Sequence, residues 1–380
     1  MMFLRDVETV VDDYLKSKEN KVLFIWGPRR SGKTTLLNKI AKNKNLPIFN
    51  FDLFSDQEKF APEQELLRKI VLEHKAILID EVQNYPEVTT SLKILIDKYR
   101  LKIIATGSSE LRRKSANFDS LAGRFVEAFC LPLSIEEIFN NQRVKKYEEA
   151  WFFNDLFKKM QIFGSYPEVF APNIKEKEKI YLLQNILDTY VLKDIMTIYS
   201  LRNSKLAKDI LTMIALQLGN EVSLREIANS LQANVTTVSN YIEIFIKNYI
   251  LIPLPSFKTN LRKAVSENRK YYFYDLGIRN ILIKDFRDLE VRPDKGALFE
   301  NFVLSEIEKK IRNKNLLLNK YFYREYGGRE VDLVLEDYKK RYRCYEIKYR
   351  KKAIKSVFPI EHTLKIIEPV NYFQTINEIG

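Results

Sequence analysis

Cysteine and histidine are nearly absent. The 380 residues hold only Cys130, Cys344, His74 and His362. That excludes a Cys/His zinc cluster and argues against a disulfide framework. Cysteine–histidine or serine–histidine catalysis would have to use one of two isolated histidines. Chemistry must therefore rest on carboxylates, lysines and arginines. No apolar run approaches the roughly 18 residues that span a bilayer. Arg5, Asp6, Glu8, Asp12 and Asp13 near the start are unlike a signal peptide. The expectation is a soluble, cytoplasmic protein with no membrane partner. Glycine is scarce too, with 11 in the chain. Its clustering at Gly27, Gly32, Gly107, Gly123 and Gly327-Gly328 is therefore informative. No internal repeat or low-complexity segment is present.

Positive charge is in excess, with 63 Lys and Arg against 50 Asp and Glu, a net +13. Such a balance suits a polyanionic partner, nucleic acid first. An ordinary Lys-rich surface would give the same count. The length suffices for two or three domains with real cores.

Residues 27–34 read Gly-Pro-Arg-Arg-Ser-Gly-Lys-Thr. This is the Gly-x-x-x-x-Gly-Lys-Thr phosphate-binding loop. Val22–Trp26 reads as a strand entering it, and Thr34-Thr35-Leu36-Leu37 opens a helix leaving it. Gly27 and Gly32 permit a tight turn whose N–H groups face a polyphosphate, and the helix N-terminus favours an anion. Gly27, Pro28, Arg29, Arg30, Ser31, Gly32, Lys33, Thr34 and Thr35 are the expected ATP-binding residues. Lys33 is the cation for the β- and γ-phosphates, and Thr34 a Mg²⁺ ligand.

A phosphate cradle alone does not establish hydrolysis. Ala76-Ile-Leu-Ile-Asp80-Glu81 supplies an apolar strand ending in two acids. Asp80 is placed for the Mg²⁺ shell, and Glu81 to orient or deprotonate the attacking water. Thr106-Gly107-Ser108 ends the next strand, with Ser108 as a candidate γ-phosphate contact. Arg124 is the candidate for stabilising transition-state charge, with a neighbouring subunit's site as one place for it to act; Arg112 and Arg113 compete.

Apolar strands alternating with helices predict a parallel sheet covered on both faces. Strands are expected at 22–26, 46–51, 76–79, 101–106 and 125–131, with helices over 4–17, 62–73 and 86–98. Helical patterns follow from about 134, where Ser134-Ile-Glu-Glu137 is a capping box. Ser223-Leu-Arg-Glu226 is another, opening a short helix, a turn and a helix from about 234 to 248. That is a helix-turn-helix pattern, with 250–257 and 271–274 as a small wing. A helix at 297–312 and strands at 321–325, 330–336, 342–348 and 363–368 complete the chain.

These residues resemble the archaeal and bacterial ATPases with an AAA-type N-terminal domain and a C-terminal DUF4143-like domain. Beyond the motifs above, the likeness rests on Ala105-Thr-Gly-Ser-Ser109, Ser120-Leu-Ala-Gly-Arg124, Leu131-Pro-Leu-Ser-Ile-Glu-Glu137, Gly164-Ser-Tyr-Pro-Glu-Val169, Tyr272-Phe-Tyr-Asp-Leu-Gly277 and Gly296-Ala-Leu-Phe-Glu-Asn301. The implied fold class is α/β. It would have a P-loop AAA-type core (1–140), a helical lid (141–203), a winged helix (204–285) and a small PD-(D/E)xK nuclease-like domain (286–380). AAA-type cores often form rings, so a homo-oligomer is among the expected assemblies.

The implied nuclease-like domain can be read on residues. Asp332, Glu346 and Lys348 fall on two successive strands, and Glu300 on the preceding helix. Two acids on adjacent strands can clamp a divalent ion, and a lysine two positions on shares the second acid's face. The same alternation also occurs on ordinary solvated strands. For DNA, Thr236, Thr237, Ser239 and Asn240 lie at the start of the second helix of the helix-turn-helix, with Val235, Val238, Ile242 and Phe245 as core. Basic residues from Lys339 to Lys355 interleave with Tyr338, Tyr342, Tyr345 and Tyr349. This pattern fits phosphate contact and base stacking, or strand tyrosines that face a core. The leading expectation is an ATP-hydrolysing DNA-binding machine. The alternatives are a nucleotide-gated switch acting on a protein and an ATP-regulated, metal-dependent nuclease.

Overall fold

A computed structural model describes residues 3–107, 121–195, 199, 201, 203–258, 269–350 and 356–380. The chain divides into two compact units, Met1–Pro132 and Leu133–Gly380.

The first unit is an α/β layer structure. Its elements are α1 (Val7–Lys16), β1 (Val22–Trp26), α2 (Lys33–Lys44), β2 (Ile48–Asn50), α3 (Phe54–Lys59), α4 (Gln64–Glu73), β3 (Ala76–Asp80), α5 (Val88–Asp97), β4 (Lys102–Gly107) and β5 (Phe125–Phe129). The strands form a parallel sheet in the order β2-β3-β4-β1-β5. All five residues of β1 are buried. Helices cover both faces, so a continuous apolar run replaces the alternation of a one-sided sheet. Leu23 and Ile25 face Val7, Val11, Leu36, Leu37 and Ile40 of α1 and α2. Phe24 and Trp26 project the other way and stack at 4.9 Å. Pro62 and Pro86 lie just ahead of α4 and α5 rather than in their first turns.

The second unit begins with α6 (Ile135–Asn140), α7 (Glu149–Phe163), α8 (Pro167–Phe170) and α9 (Glu176–Asn185), followed by a π-helical stretch Ile186–Asp194. The capping box at α6 forms as predicted: Ser134 and Glu137 each accept the other's backbone N–H. Next come α10 (Ser204–Leu216), β6 (Glu221–Val222), α11 (Leu224–Ser230), α12 (Val235–Lys247), β7 (Leu251–Leu254), β8 (Arg269–Phe273) and α13 (Leu276–Ile283). Here β6-β8-β7 make an antiparallel sheet beside the α11–α12 pair. At α11 only half of the expected box is seen, the Ser223 hydroxyl accepting from Glu226. The last part holds α14 (Lys295–Asn313), β9 (Leu318–Arg324), β10 (Glu330–Asp337), β11 (Tyr342–Ile347), β12 (His362–Ile367) and α15 (Tyr372–Asn377). Its mixed sheet runs β12-β11-β10-β9, antiparallel except for β11 with β12. Among the described residues no helix is long and apolar enough to cross a membrane.

Candidate active site

The parallel register brings three chain segments to one edge of the first sheet. Trp26 pairs with Gly107 and Ile25 with Thr106, so β1 and β4 end together. Ile79 pairs with Ala105, which sets Asp80 level with Thr106. The phosphate loop thus leaves β1 two strand spacings, roughly 10 Å, from the acids that follow β3. Ligands of open α/β sheets sit in this place, outside the carboxyl ends of the strands.

The loop itself is held from below. A side chain at Gly27 would put its Cβ 2.0 Å from the Cys130 carbonyl oxygen. Arg30 and Gly32 take left-handed conformations, φ 63° and 97°. Gly32 then caps α2, whose first turn carries no acid to compete with an anion. Lys33 is 4% exposed, and its ammonium donates to the Gly27 carbonyl at 3.0 Å and the Pro28 carbonyl at 2.8 Å. Burial lowers its pKa, and Glu81 and Asp80 oppose that shift. Ser31 is buried and donates to Pro28 at 2.8 Å, whereas Thr34, Thr35 and Arg30 are exposed and Arg29 is half-buried.

Across the gap, buried Asp80 accepts from the Thr106 hydroxyl and from the Glu81 N–H at 3.1 Å. Glu81 has φ 52° and ψ 45°, an uncommon conformation for a non-glycine residue and one that clusters at functional sites. The amide of buried Gln83 donates to its carboxylate. A side chain at Gly107 would meet the Gln83 Oε1 at 2.9 Å, so the glycine leaves room for that contact. The donor set fits Mg²⁺, a hard cation that takes oxygen ligands: the exposed Thr34 hydroxyl and the Asp80 carboxylate.

Other predicted residues fall elsewhere. Arg124 is not brought to this edge. It precedes β5 at the opposite end of the sheet, where its carbonyl accepts from Val22 at 2.8 Å and its guanidinium pairs with Asp97 at 2.9 Å. Five strand residues, roughly 17 Å, separate that end from the phosphate loop. Ser108, Arg112 and Arg113 lie outside the described residues.

In the second unit Asp332 sits at a β-bulge of β10, and continuing the register sets it opposite Glu346 on β11. Lys348 approaches Asp332 at 2.7 Å and Glu346 at 3.0 Å. Lys270 of β8, 3% exposed, lies 3.5 Å from Glu300 and also pairs with Glu330. Burial raises Glu300 to about 7, Lys270 opposing and Asp332 reinforcing the shift. Burial and then Asp332 raise Glu346 to about 7. The predicted second site is thus drawn together, with Lys270 and Lys348 paired into its acids. Among the described residues no group of three or more acids, cysteines or histidines could hold a metal ion. As arranged, these residues do not fit one. Lys270 escaped the sequence reading because it looks like an ordinary strand cation; three inward-facing acids explain its burial.

On α12, Asn234 caps the helix by accepting from Thr236 at 2.9 Å. Thr236 and Asn240 are exposed, and Thr237 and Ser239 half-buried. Val238, Ile242 and Phe245 are core, as predicted, but Val235 in the first turn is 39% exposed. Two cations of the basic hairpin pair within it: Lys340 holds Glu336 at 2.8 Å and Arg341 holds Asp337 at 2.6 Å. Tyr345 is buried and Tyr338 exposed. Lys351, Lys352 and Lys355 lie outside the described residues.

Residues 19–139 match a family model described as an AAA domain, 154–289 the domain of unknown function DUF8612, and 295–367 the domain of unknown function DUF4143. An uncharacterised protein of Methanocaldococcus jannaschii is 30% identical, aligned over 96% of this chain and 84% of its own. Another, from Haemophilus influenzae, is 24% identical over 68% of each. Among solved structures, the Walker-type ATPase of Pyrococcus abyssi aligns over 74% of this chain and 96% of its own, with 15% identity and a TM-score of 0.49.

Proposed function

The chain belongs to the AAA-type ATPases with a C-terminal DUF4143 domain, and on that premise we propose that it binds ATP with Mg²⁺, hydrolyses it, and uses the turnover to act on DNA. The observation that carries hydrolysis is the shared sheet edge, where Lys33 faces Asp80 and Glu81 across β4. The backbone N–H groups of residues 29–35 cradle the phosphates. Lys33 exchanges its two carbonyl partners for phosphate oxygens. Thr34 and Asp80 would hold Mg²⁺, which when bound would offset the negative charge of the polyphosphate. Glu81, oriented by Gln83, aligns the attacking water and accepts its proton. Arg124 acts in a neighbouring subunit's site.

The α11–α12 pair and its sheet act as a winged helix, with Thr236 and Asn240 meeting the duplex. In this reading residues 1–140 are the nucleotide core, 141–203 a lid, 204–285 the winged helix and 286–380 a nuclease-like scaffold. The test is phosphate release in Mg²⁺ at low salt, with and without duplex DNA, beside Lys33→Ala. Acceleration by DNA that is lost in Thr236→Glu supports it; turnover indifferent to DNA removes the DNA half. That outcome would favour the second reading, a nucleotide-gated switch on a protein partner. The self-paired charge of Lys340 and Arg341 already points in that direction.

A further inference from the structure

Arg5 lies ahead of the matched AAA region, which begins at residue 19. Its side chain is nevertheless buried, 6% exposed. Nη1 donates to the Ser31 carbonyl at 2.7 Å, and Nη2 donates to the Leu131 carbonyl. The Cys130 thiol reaches the same Ser31 oxygen at 3.5 Å. Burying a guanidinium is costly unless its donors are matched. Here the rigid fork ties the phosphate loop to the chain leaving β5.

The planarity of the peptide gives this tie a consequence. In a trans peptide the carbonyl and the following N–H point in opposite directions. Holding the Ser31 carbonyl toward Arg5 turns the Gly32 N–H the other way. Gly32 has φ 97°, and with no side chain it does little to restrain that peptide by itself. An external clamp supplies the restraint. Arg5 is in turn fixed: its own N–H donates to Glu8 at 2.8 Å, and Glu8 pairs with Lys39 of α2 at 2.7 Å. Val7 and Val11 of α1 are buried in the core beside α2.

We propose that Arg5 is a positioning residue of the nucleotide site, whose guanidinium fixes the Ser31–Gly32 peptide so that the Gly32 N–H faces the polyphosphate. The proposal rests on the ATP-binding reading above. The full-length chain and its Arg5→Gln, Arg5→Lys and Val11→Ala variants would be titrated with a fluorescent ATP analogue, and their thermal midpoints recorded. Losing a charge-assisted hydrogen bond should weaken binding roughly tenfold in Arg5→Gln. Arg5→Lys, which keeps the charge and one donor, should fall between that variant and the unaltered chain. Val11→Ala loosens α1 without touching the fork, so it should lower the midpoint and leave affinity within about twofold. Binding by both Arg5 variants equal to that of the unaltered chain would overturn this assignment alone. So would an affinity loss in Val11→Ala matching that in Arg5→Gln. Failure of the unaltered chain to bind ATP would instead remove the reading beneath it.

Discussion

Replacing Gly27 with alanine tests the shape of the phosphate cradle. The added Cβ would lie 2.0 Å from the Cys130 oxygen and 2.9 Å from its carbonyl carbon. Ordinary separation requires a retreat of more than about 1 Å. Cys130 cannot supply it: its N–H donates to Trp26 at 2.8 Å and its side chain is in the core. The phosphate loop must therefore move. A displacement of that size at a reacting centre costs on the order of 100-fold in rate. Overpacking itself costs only about 1–3 kcal/mol of stability. Gly27→Ala should therefore remain folded, with a modestly lower thermal midpoint, and lose roughly 100-fold in single-turnover phosphate release. ATP-analogue affinity should fall with it. A variant that releases phosphate within about twofold of the unaltered chain would refute the cradle geometry.

Thr106→Val removes the hydroxyl that donates to buried Asp80. Phosphate release should fall about tenfold with ATP affinity little changed, because the loop is untouched. Acid should destabilise the second unit through Glu308. Burial works to raise its pKa, but Lys320 and Arg312 more than reverse this and hold it near about 2, below its ordinary 4.5. Because the folded value is the lower one, this contribution is complete above about 4.5 and disappears as pH falls toward about 2. It is worth on the order of 3 kcal/mol. In Glu308→Gln the slope of stability against pH in urea titrations should flatten across that window; an unchanged slope would show that Glu308 does not carry it. Mn²⁺ titration by calorimetry should show no heat that disappears in Asp332→Ala, since Lys270 and Lys348 already pair with the acids. A stoichiometric heat lost in that variant would restore a metal site.

Much of the proposed nucleotide site could be read from the sequence because its signals are local. An unbroken apolar strand, two glycines, a lysine and a threonine define one half within Val22–Thr35. An apolar strand and two acids define the other. What joins them is not local. Thr106 bonds Asp80 only because β4 lies between β1 and β3, a strand order that the periodicity of β4 does not encode. Arg5 reads as one more charge in an acidic N-terminal segment, and its hydrogen bonds to Ser31 and Leu131 appear only when α1 docks beside α2. Short elements escaped for a different reason. Over Phe54–Lys59 and Tyr372–Asn377 there are too few turns for a 3.6-residue period to register. The apolar character of Val235 predicts core, but at the start of α12 Val235 and Thr236 stand in solvent while Val238 turns inward. Lys270 shows the same limit in reverse, a charge whose burial depends on acids far away in the chain.

The central claim is that ATP is hydrolysed at the edge where Lys33, Asp80 and Glu81 meet. The most direct measurement is steady-state phosphate release with Mg²⁺ and ATP, alongside equilibrium nucleotide binding, for the unaltered chain, Lys33→Ala and Glu81→Gln. Lys33→Ala should lose both binding and release. Glu81→Gln should bind ATP as the unaltered chain does and release phosphate at least about 100-fold more slowly. Equal turnover in the unaltered chain and Glu81→Gln would contradict the assignment of the site.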